Sequence, residues 1–299
     1  MPELPDLSIL ADSLDAGLAG RPLAAASTPQ SLVLRGTPAE LAAYQGQVLR
    51  EVSRRGKLLV FRFDRDQIVI NAMLTGRLGF AAPGSKAWPQ TAAVLTFGPA
   101  TAGTQDLAMD DERTRPTAKW VAGADWLPAR DAQVELRYRD ATRMGKIYLL
   151  PAGVTRPVAG WDEMGPDAAD PALKIDVWRV RIAKHTGEIK NLLRNQAFVT
   201  GIGNAYSDEI LWEARLAPFR TRASLAPAEV DALYEATRKV LPWAIAELRH
   251  LVPPRLEVEQ RKLLNVHWKG GQPWPRCGTR LTEVKAGGFV TTWCRGCQR

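Results

Sequence analysis

The sequence predicts an α+β protein of several domains: an N-terminal antiparallel β-meander or β-sandwich with a helix, a helical domain, and a C-terminal zinc-ribbon-like β-hairpin. Three observations carry this. Residues 47–140 hold short β-branched, alternating runs between polar turns; residues 172–250 change to helical spacing; all three cysteines of the 299-residue chain fall after residue 276. The divisions that follow are 1–150 for the sandwich, 151–171 for a linker, 172–255 for the helical domain and 262–299 for the hairpin.

In chain order, Ile9, Leu10, Leu14 and Leu18 lie near helical spacing and predict a helix over 7–19, with Asp6 as N-cap and Gly20 as the stop. Strands are expected in 47–56, 57–66, 67–76, 77–84, 92–99 and 134–140, each ended by turn-forming residues. Residues 100–131, rich in charge, Gly and Pro, form a surface insertion. The Pro- and Gly-rich stretch 151–171 has few periodic apolar positions and reads as the linker. Helices follow at 172–185, 188–196, 205–216 and 228–250, the last kinked or divided at Pro242.

Hydrophobic residues make up 45% and charged residues 24%, an ordinary soluble balance. No run of about eighteen uncharged apolar residues occurs, and "MPELPD" has neither a basic leader nor an apolar signal core, so a cytoplasmic, nucleoid-associated monomer without a membrane partner is expected. The net charge of +8 favours an acidic partner, nucleic acid first.

The three histidines, His185, His250 and His267, form no metal-binding pair and lie beside no nucleophile motif, which argues against hydrolytic triads and His-rich catalytic metal sites. Removal of Met1 before the small Pro2 leaves a secondary amine whose ordinary pKa is about 8. Such an amine attacks an electrophilic carbon to give an iminium, with the Glu3 carboxylate beside it as acid and base; the plainer reading of "PELP" is a stiff, exposed start. "GIGNAY", residues 201–206, allows close backbone approach to phosphate, with Asn204 as a donor, or is simply a helix connection with glycine caps. Cys294 and Cys297 have the spacing of a two-thiolate metal knuckle, while the slot that should pair with Cys277 holds Trp274.

"MPELPD", "RRGK" ending at Lys57, "EIKNLL" followed by "GIGNAYSDEIL", and the terminal "CGT" and "CRGCQR" occur in one order. In this the chain resembles the Fpg/Nei family of bifunctional DNA glycosylases, the formamidopyrimidine-DNA glycosylase and endonuclease VIII group, over essentially its whole length. The resemblance implies a β-sandwich, a helix–two-turn–helix domain and a zinc finger holding damaged double-stranded DNA in a basic cleft, with no catalytic cofactor. It implies base excision with AP lyase activity: Pro2 attacks C1′ and forms a Schiff base, Glu3 protonates the opening sugar, and β/δ elimination cuts the strand. Lys57 would face the lesion and its phosphates, or be a solvated strand residue. Lys190 and Asn204 would grip phosphates, and Glu209 matches an acidic position that could equally be a structural cap.

A flipped base leaves a gap that something must fill. By resemblance Leu74 and the Thr142, Arg143 and Met144 stretch supply the wedge, with Met144 in place of an aromatic residue; ordinary core roles are the alternative for Leu74 and Met144. Residues 251–268 lack the family's Gly/Thr-rich capping loop, so 8-oxoguanine is not expected to be the preferred lesion. Phe289 occupies the position of a phosphate-binding arginine in the hairpin. Cys277, Cys294 and Cys297 would hold a structural zinc with water or His267 as fourth ligand, unless Trp274 replaces the metal by packing. The alternative function is a catalytically weak or inactive binder of damaged DNA; a zinc-ribbon interaction module would explain only the C-terminus.

Overall fold

The structure, a computed structural model, describes residues 1–101, 120–121, 123–274, 276–286 and 288–299. The part of the expected 100–131 insertion at residues 102–119 and 122 lies outside the described residues. The chain forms two compact units: one comprises Met1–Pro2, Asp6–Ala159 and Leu248–Gln260, the other Glu3–Pro5, Gly160–Glu247 and Arg261–Arg299.

Helix α1 spans Leu4–Leu18. Asp6 therefore sits inside its first turn, where it faces the positive end of the helix dipole, and is not the N-cap. Gly20 adopts φ of +83°, the left-handed conformation that ends a helix cheaply only at glycine. The first unit, which also holds the short helix α2 (Pro38–Ala42), then builds two sheets. One, in the order β2-β9-β5-β4-β3, contains Leu34–Arg35, Lys146–Leu150, Gln67–Asn71, Leu58–Phe63 and Leu49–Arg55. The other, in the order β1-β7-β8-β6, contains Leu23–Ser27, Thr91–Phe97, Val134–Arg139 and Arg77–Ala81. All pairings are antiparallel except the short β2–β9 contact.

The sheets share a core between their inner faces. Phe63 of β4 stacks on Phe97 of β7 at 6.4 Å between centroids, and Leu78, Leu95 and Leu136 of one sheet line a small apolar gap with Ile70 and Ile147 of the other. This is the sandwich expected. Central β4 is buried at every position but Arg62, so it reads as a continuous apolar run. A fully buried Arg21 closes one end, its guanidinium donating to the carbonyl oxygens of Gly17, Gly98, Pro128, Ala129 and Ala132, which satisfies a charge that burial would otherwise penalise.

In the second unit, helices α3 (Ile175–Ile182), α4 (Ile189–Arg194), α5 (Asn204–Glu213) and α6 (Pro227–Leu251), the last as far as Glu247, surround a core centred on Trp178, which meets Phe198 at 4.8 Å and Tyr234 at 5.8 Å. The helix α6 is one 25-residue element running through Pro242, not two. Its amphipathic packing against this core outweighs the hydrogen bond that Pro242 cannot donate. The hairpin of β10 (Thr282–Ala286) and β11 (Phe289–Trp293) belongs to the same unit and packs on α5. Among the described residues, no helix is long and apolar enough to cross a membrane.

Candidate active site

Pro2 is buried in the first unit, in a recess lined also by Asp6, Arg77, Leu256 and Glu259. The Met1 amine donates to Glu259 Oε1 at 3.4 Å, and Glu259 is in turn ion-paired with Arg77. Neither Arg77 nor Glu259 was singled out from the sequence; the acidic alternation at Glu257 and Glu259 was the available signal.

Lys57 is half-buried at the second position of the two-residue turn joining β3 to β4. Gly56 precedes it with φ of +56°, the conformation the first position of a type II′ hairpin turn requires. The wedge candidates sit on two loops of the same unit. Leu74 is 42% exposed and Met144 43% exposed, large apolar side chains held out of the core, so the core alternative does not apply to them. Arg143, just before Met144 in the second loop, is exposed with φ of +54°.

Asp140 ties these loops together. It accepts from Thr75 Oγ1, from Thr142 N at 3.3 Å and from Gly145 N at 2.7 Å, while Thr142 N also donates to Thr75 Oγ1 at 3.1 Å. Burial opposes ionisation of Asp140, but the bonds from Thr75, Gly145 and Thr142 outweigh it and hold its pKa below the usual carboxylate range. Gly145 is required here: a Cβ would lie 1.8 Å from the Tyr138 hydroxyl oxygen.

Glu3 is buried in the second unit. Its carboxylate accepts from the backbone N–H groups of Gly203 at 2.7 Å, Ala205 at 2.8 Å and Tyr206 at 3.2 Å, so it occupies the N-terminus of α5, where unpaired donors and the helix dipole favour an anion. The glycines of "GIGNAY" make room for this. A Cβ on Gly203 would fall 2.4 Å from Glu3 Cδ, and one on Gly201, whose φ is +102°, 2.6 Å from Leu4 Cδ1. The close approach they permit is to the chain's own N-terminal segment.

Lys190 was expected at a phosphate. In the structure it is 3% exposed, and its ammonium donates to Asp208 Oδ1 at 2.5 Å, Val290 O at 3.0 Å and Thr291 Oγ1 at 2.9 Å. An ammonium has three protons, and all three are engaged inside the protein. Burial pushes its pKa down, opposed by Asp208. The other Asp208 oxygen meets His267 Nδ1 at 2.7 Å and Thr292 N at 3.3 Å, so the network joins α4, α5, β11 and the segment before the hairpin. Glu209 is also structural, accepting from the N–H groups of Asn265, Val266 and His267; burial pushes its pKa up against those bonds. Asn204 Nδ2 donates to Val290 O at 2.8 Å. Phe289 lies under a cation that sequence reasoning missed: Arg194 Cζ is 3.8 Å from its ring centroid.

The Sγ atoms of Cys277, Cys294 and Cys297 all lie within 4.8 Å of one another, the grouping a single zinc ion needs. The Cys277 thiol is pulled down to about 6 by hydrogen bonds from Cys297 and Thr279, and the partner Cys297 is pushed up to about 12 by its bond to Cys277. Trp274, in the fourth slot, is 4% exposed and packs edge-on against Trp212 at 4.5 Å within the cluster of Val266, Leu281 and Cys294. His267 Nδ1 is occupied by Asp208. Three thiolates therefore fit zinc, with the fourth position left to a ligand such as water, while Trp274 contributes packing whether or not metal is bound.

Two family models match the chain: the formamidopyrimidine-DNA glycosylase N-terminal domain over residues 1–147 and the formamidopyrimidine-DNA glycosylase H2TH domain over residues 164–251. Formamidopyrimidine-DNA glycosylase of Thermomicrobium roseum is 30% identical over 312 aligned positions, covering 100% of this chain and 99% of the relative. That of Symbiobacterium thermophilum is 30% identical, covering 100% and 89%, and that of Enterococcus faecalis 27% identical, covering 100% and 98%. The fold matches the Lactococcus lactis Fpg solved with DNA containing an abasic site, at TM-score 0.79 and 21% identity, covering 99% of both chains. The same protein solved with DNA containing N7-benzyl-Fapy-dG matches at TM-score 0.81 and 22% identity, covering 100% of both. Together with the N-terminal pair and the α4–α5 region, these matches place the chain in the Fpg/Nei family of DNA glycosylases.

Proposed function

We propose that the protein is a base-excision-repair DNA glycosylase with AP lyase activity, acting on damaged bases or abasic sites in double-stranded DNA. The observation that carries the reading is the N-terminal pair: Pro2 lies in a recess and Glu3, the next residue, is fixed by three backbone donors at the start of α5.

With Met1 removed, the Pro2 nitrogen lone pair attacks C1′ of the damaged nucleotide. The C1′–N bond to the base breaks, the base leaves with the bonding electrons and takes up a proton, and ring opening gives an iminium between Pro2 and C1′. The Glu3 carboxylate takes up the proton that the Pro2 nitrogen loses as the iminium forms and passes it to the opening sugar oxygen. The iminium then acidifies C2′, and β followed by δ elimination expels the 3′ and 5′ phosphates. Leu74, Arg143 and Met144 fill the space left by the flipped nucleotide; the Asp140 tie holds their loops in one arrangement before DNA binds. Lys57 faces the lesion phosphates and Asn204 helps hold the backbone, while Lys190 positions the hairpin. The Glu3 carboxylate, held by three backbone donors next in sequence to Pro2, favours this reading over a non-catalytic binder.

The test is a panel of duplexes carrying an abasic site, an oxidised pyrimidine, a ring-opened purine or 8-oxoguanine. Strand cleavage at the abasic site and at one or more damaged bases is expected, with 8-oxoguanine cut more slowly than the best lesion. Binding without cleavage of any of the four would leave the inactive DNA-binding alternative.

A further inference from the structure

We propose that Arg194 holds a DNA backbone phosphate beside the reacting nucleotide, and that Phe289 is the positioning residue that fixes its guanidinium. The inference rests on the glycosylase reading above for the identity of the anion.

Arg194 is the last residue of α4, half-buried, with its Cζ 3.8 Å from the centroid of Phe289 at the start of β11. Burial lowers its pKa, and a guanidinium taken partly out of water should have acceptors to repay the lost hydration. Among the described residues its guanidinium makes one hydrogen bond, from NH1 to Asn191 Oδ1 at 3.4 Å, at the long limit for such a bond. A guanidinium seated over an aromatic face keeps its N–H donors in its own plane, directed past the ring. That arrangement leaves a preset fork with unmatched donors, the geometry that takes a phosphate in bidentate fashion.

The nearby carboxylates do not supply the missing acceptor. Glu3 and Asp208 both act on Arg194 electrostatically, but Glu3 is held by the N–H groups at the start of α5 and Asp208 by Lys190, His267 and Thr292. The influence of Glu3 also places the fork within electrostatic reach of that carboxylate. Asn204 borders the same place: its amide donates to Val290 O, next in β11 to Phe289. A purely structural role for Arg194, as a cation at the C-terminal end of α4, predicts stability effects and no change in how DNA binding responds to salt.

The experiment uses the full-length protein and a duplex with a tetrahydrofuran abasic analogue, with Kd followed by fluorescence anisotropy across a salt series. Removing one phosphate contact in Arg194→Leu is expected to lower the slope of log K against log salt by about 1 and to weaken binding on the order of tenfold. Arg194→Lys keeps the charge and is expected to retain the wild-type slope with a smaller loss of affinity. Wild-type slope in Arg194→Leu, or an Arg194→Lys slope as low as that of Arg194→Leu, overturns the proposal. Strand cleavage by the wild type, measured in parallel, separates the two readings: cleavage with an unchanged Arg194→Leu slope sinks this inference alone, whereas a reduced slope without cleavage sinks the catalytic reading and leaves the phosphate contact.

Discussion

Gly203→Ala should disable the catalytic pair through one methyl group. The Gly203 backbone has φ of −127°, which any residue adopts, with ψ of −150°, outside the ordinary extended region, so the glycine serves space as well as backbone freedom. The added Cβ would lie 2.4 Å from Glu3 Cδ and 2.6 Å from its Oε1. Ordinary contacts between heavy atoms are about 3.5–4.0 Å, so the carboxylate must withdraw by about 1 Å or more. Withdrawal stretches the bonds it accepts from Gly203, Ala205 and Tyr206. A displacement of about 1 Å in a reacting group costs on the order of 100-fold in rate, and overpacking costs about 1–3 kcal/mol in stability. The assay is the single-turnover rate of borohydride trapping on abasic DNA. Gly46→Ala is the control: its Cβ meets nothing within 4 Å, but φ of +85° makes it strained, so it loses stability without touching Glu3. A Gly203→Ala protein that traps at the wild-type rate would refute the argument that Glu3 must be held where it is.

Lys190→Met should lower stability by about 3–5 kcal/mol in denaturant unfolding, because it strands the buried Asp208 charge; an unchanged stability would mean that the ammonium works at a phosphate instead. Metal analysis of the purified protein should find about one zinc per chain, lost in Cys294→Ala, and Trp274→Ala should cost about 3–5 kcal/mol even with zinc present, as a cavity in the Trp212 cluster requires. The depressed Asp140 pKa makes a further claim about pH. A carboxylate held below its unfolded value contributes stability that is present above about pH 4 and is lost as pH falls through the folded pKa. Asp140→Asn should therefore be less stable than wild type near neutrality and show a shallower loss on acidification; parallel pH profiles would contradict the Asp140 tie.

Much of this molecule was legible in the sequence because its elements follow local pattern. The meander runs over 47–97 became β3 to β7, and the change at residue 172 marks where the helices begin. Strands β1 and β9 were passed over: "LAAAS" has no large alternating side chains, and "KIYLL" is a short run whose place beside β5 depends on a partner 79 residues away. The start of α1 was misjudged because Asp6 is as welcome in a first helical turn as at an N-cap, and because Glu3 is taken up by another helix. At the site, residue types could be recognised but their partners could not. Gly203 is visible as a turn glycine, while its reason, Glu3, lies 200 positions earlier. Lys190 looked like an available cation, and only tertiary structure brings Asp208, Val290 and Thr291 around it. Arg194 and Phe289 are 95 positions apart, so their stack has no local signature.

The central claim is that the Pro2 amine is the nucleophile, and its most direct test is the chemistry of the trapped intermediate. Protein incubated with abasic-site DNA and borohydride should form a covalent adduct, and peptide mapping by mass spectrometry should place the reduced sugar on an N-terminal peptide that begins at Pro2 with Met1 absent. An adduct mapped to Lys57 or to any other lysine, or no adduct under conditions where the DNA is bound, would contradict the account.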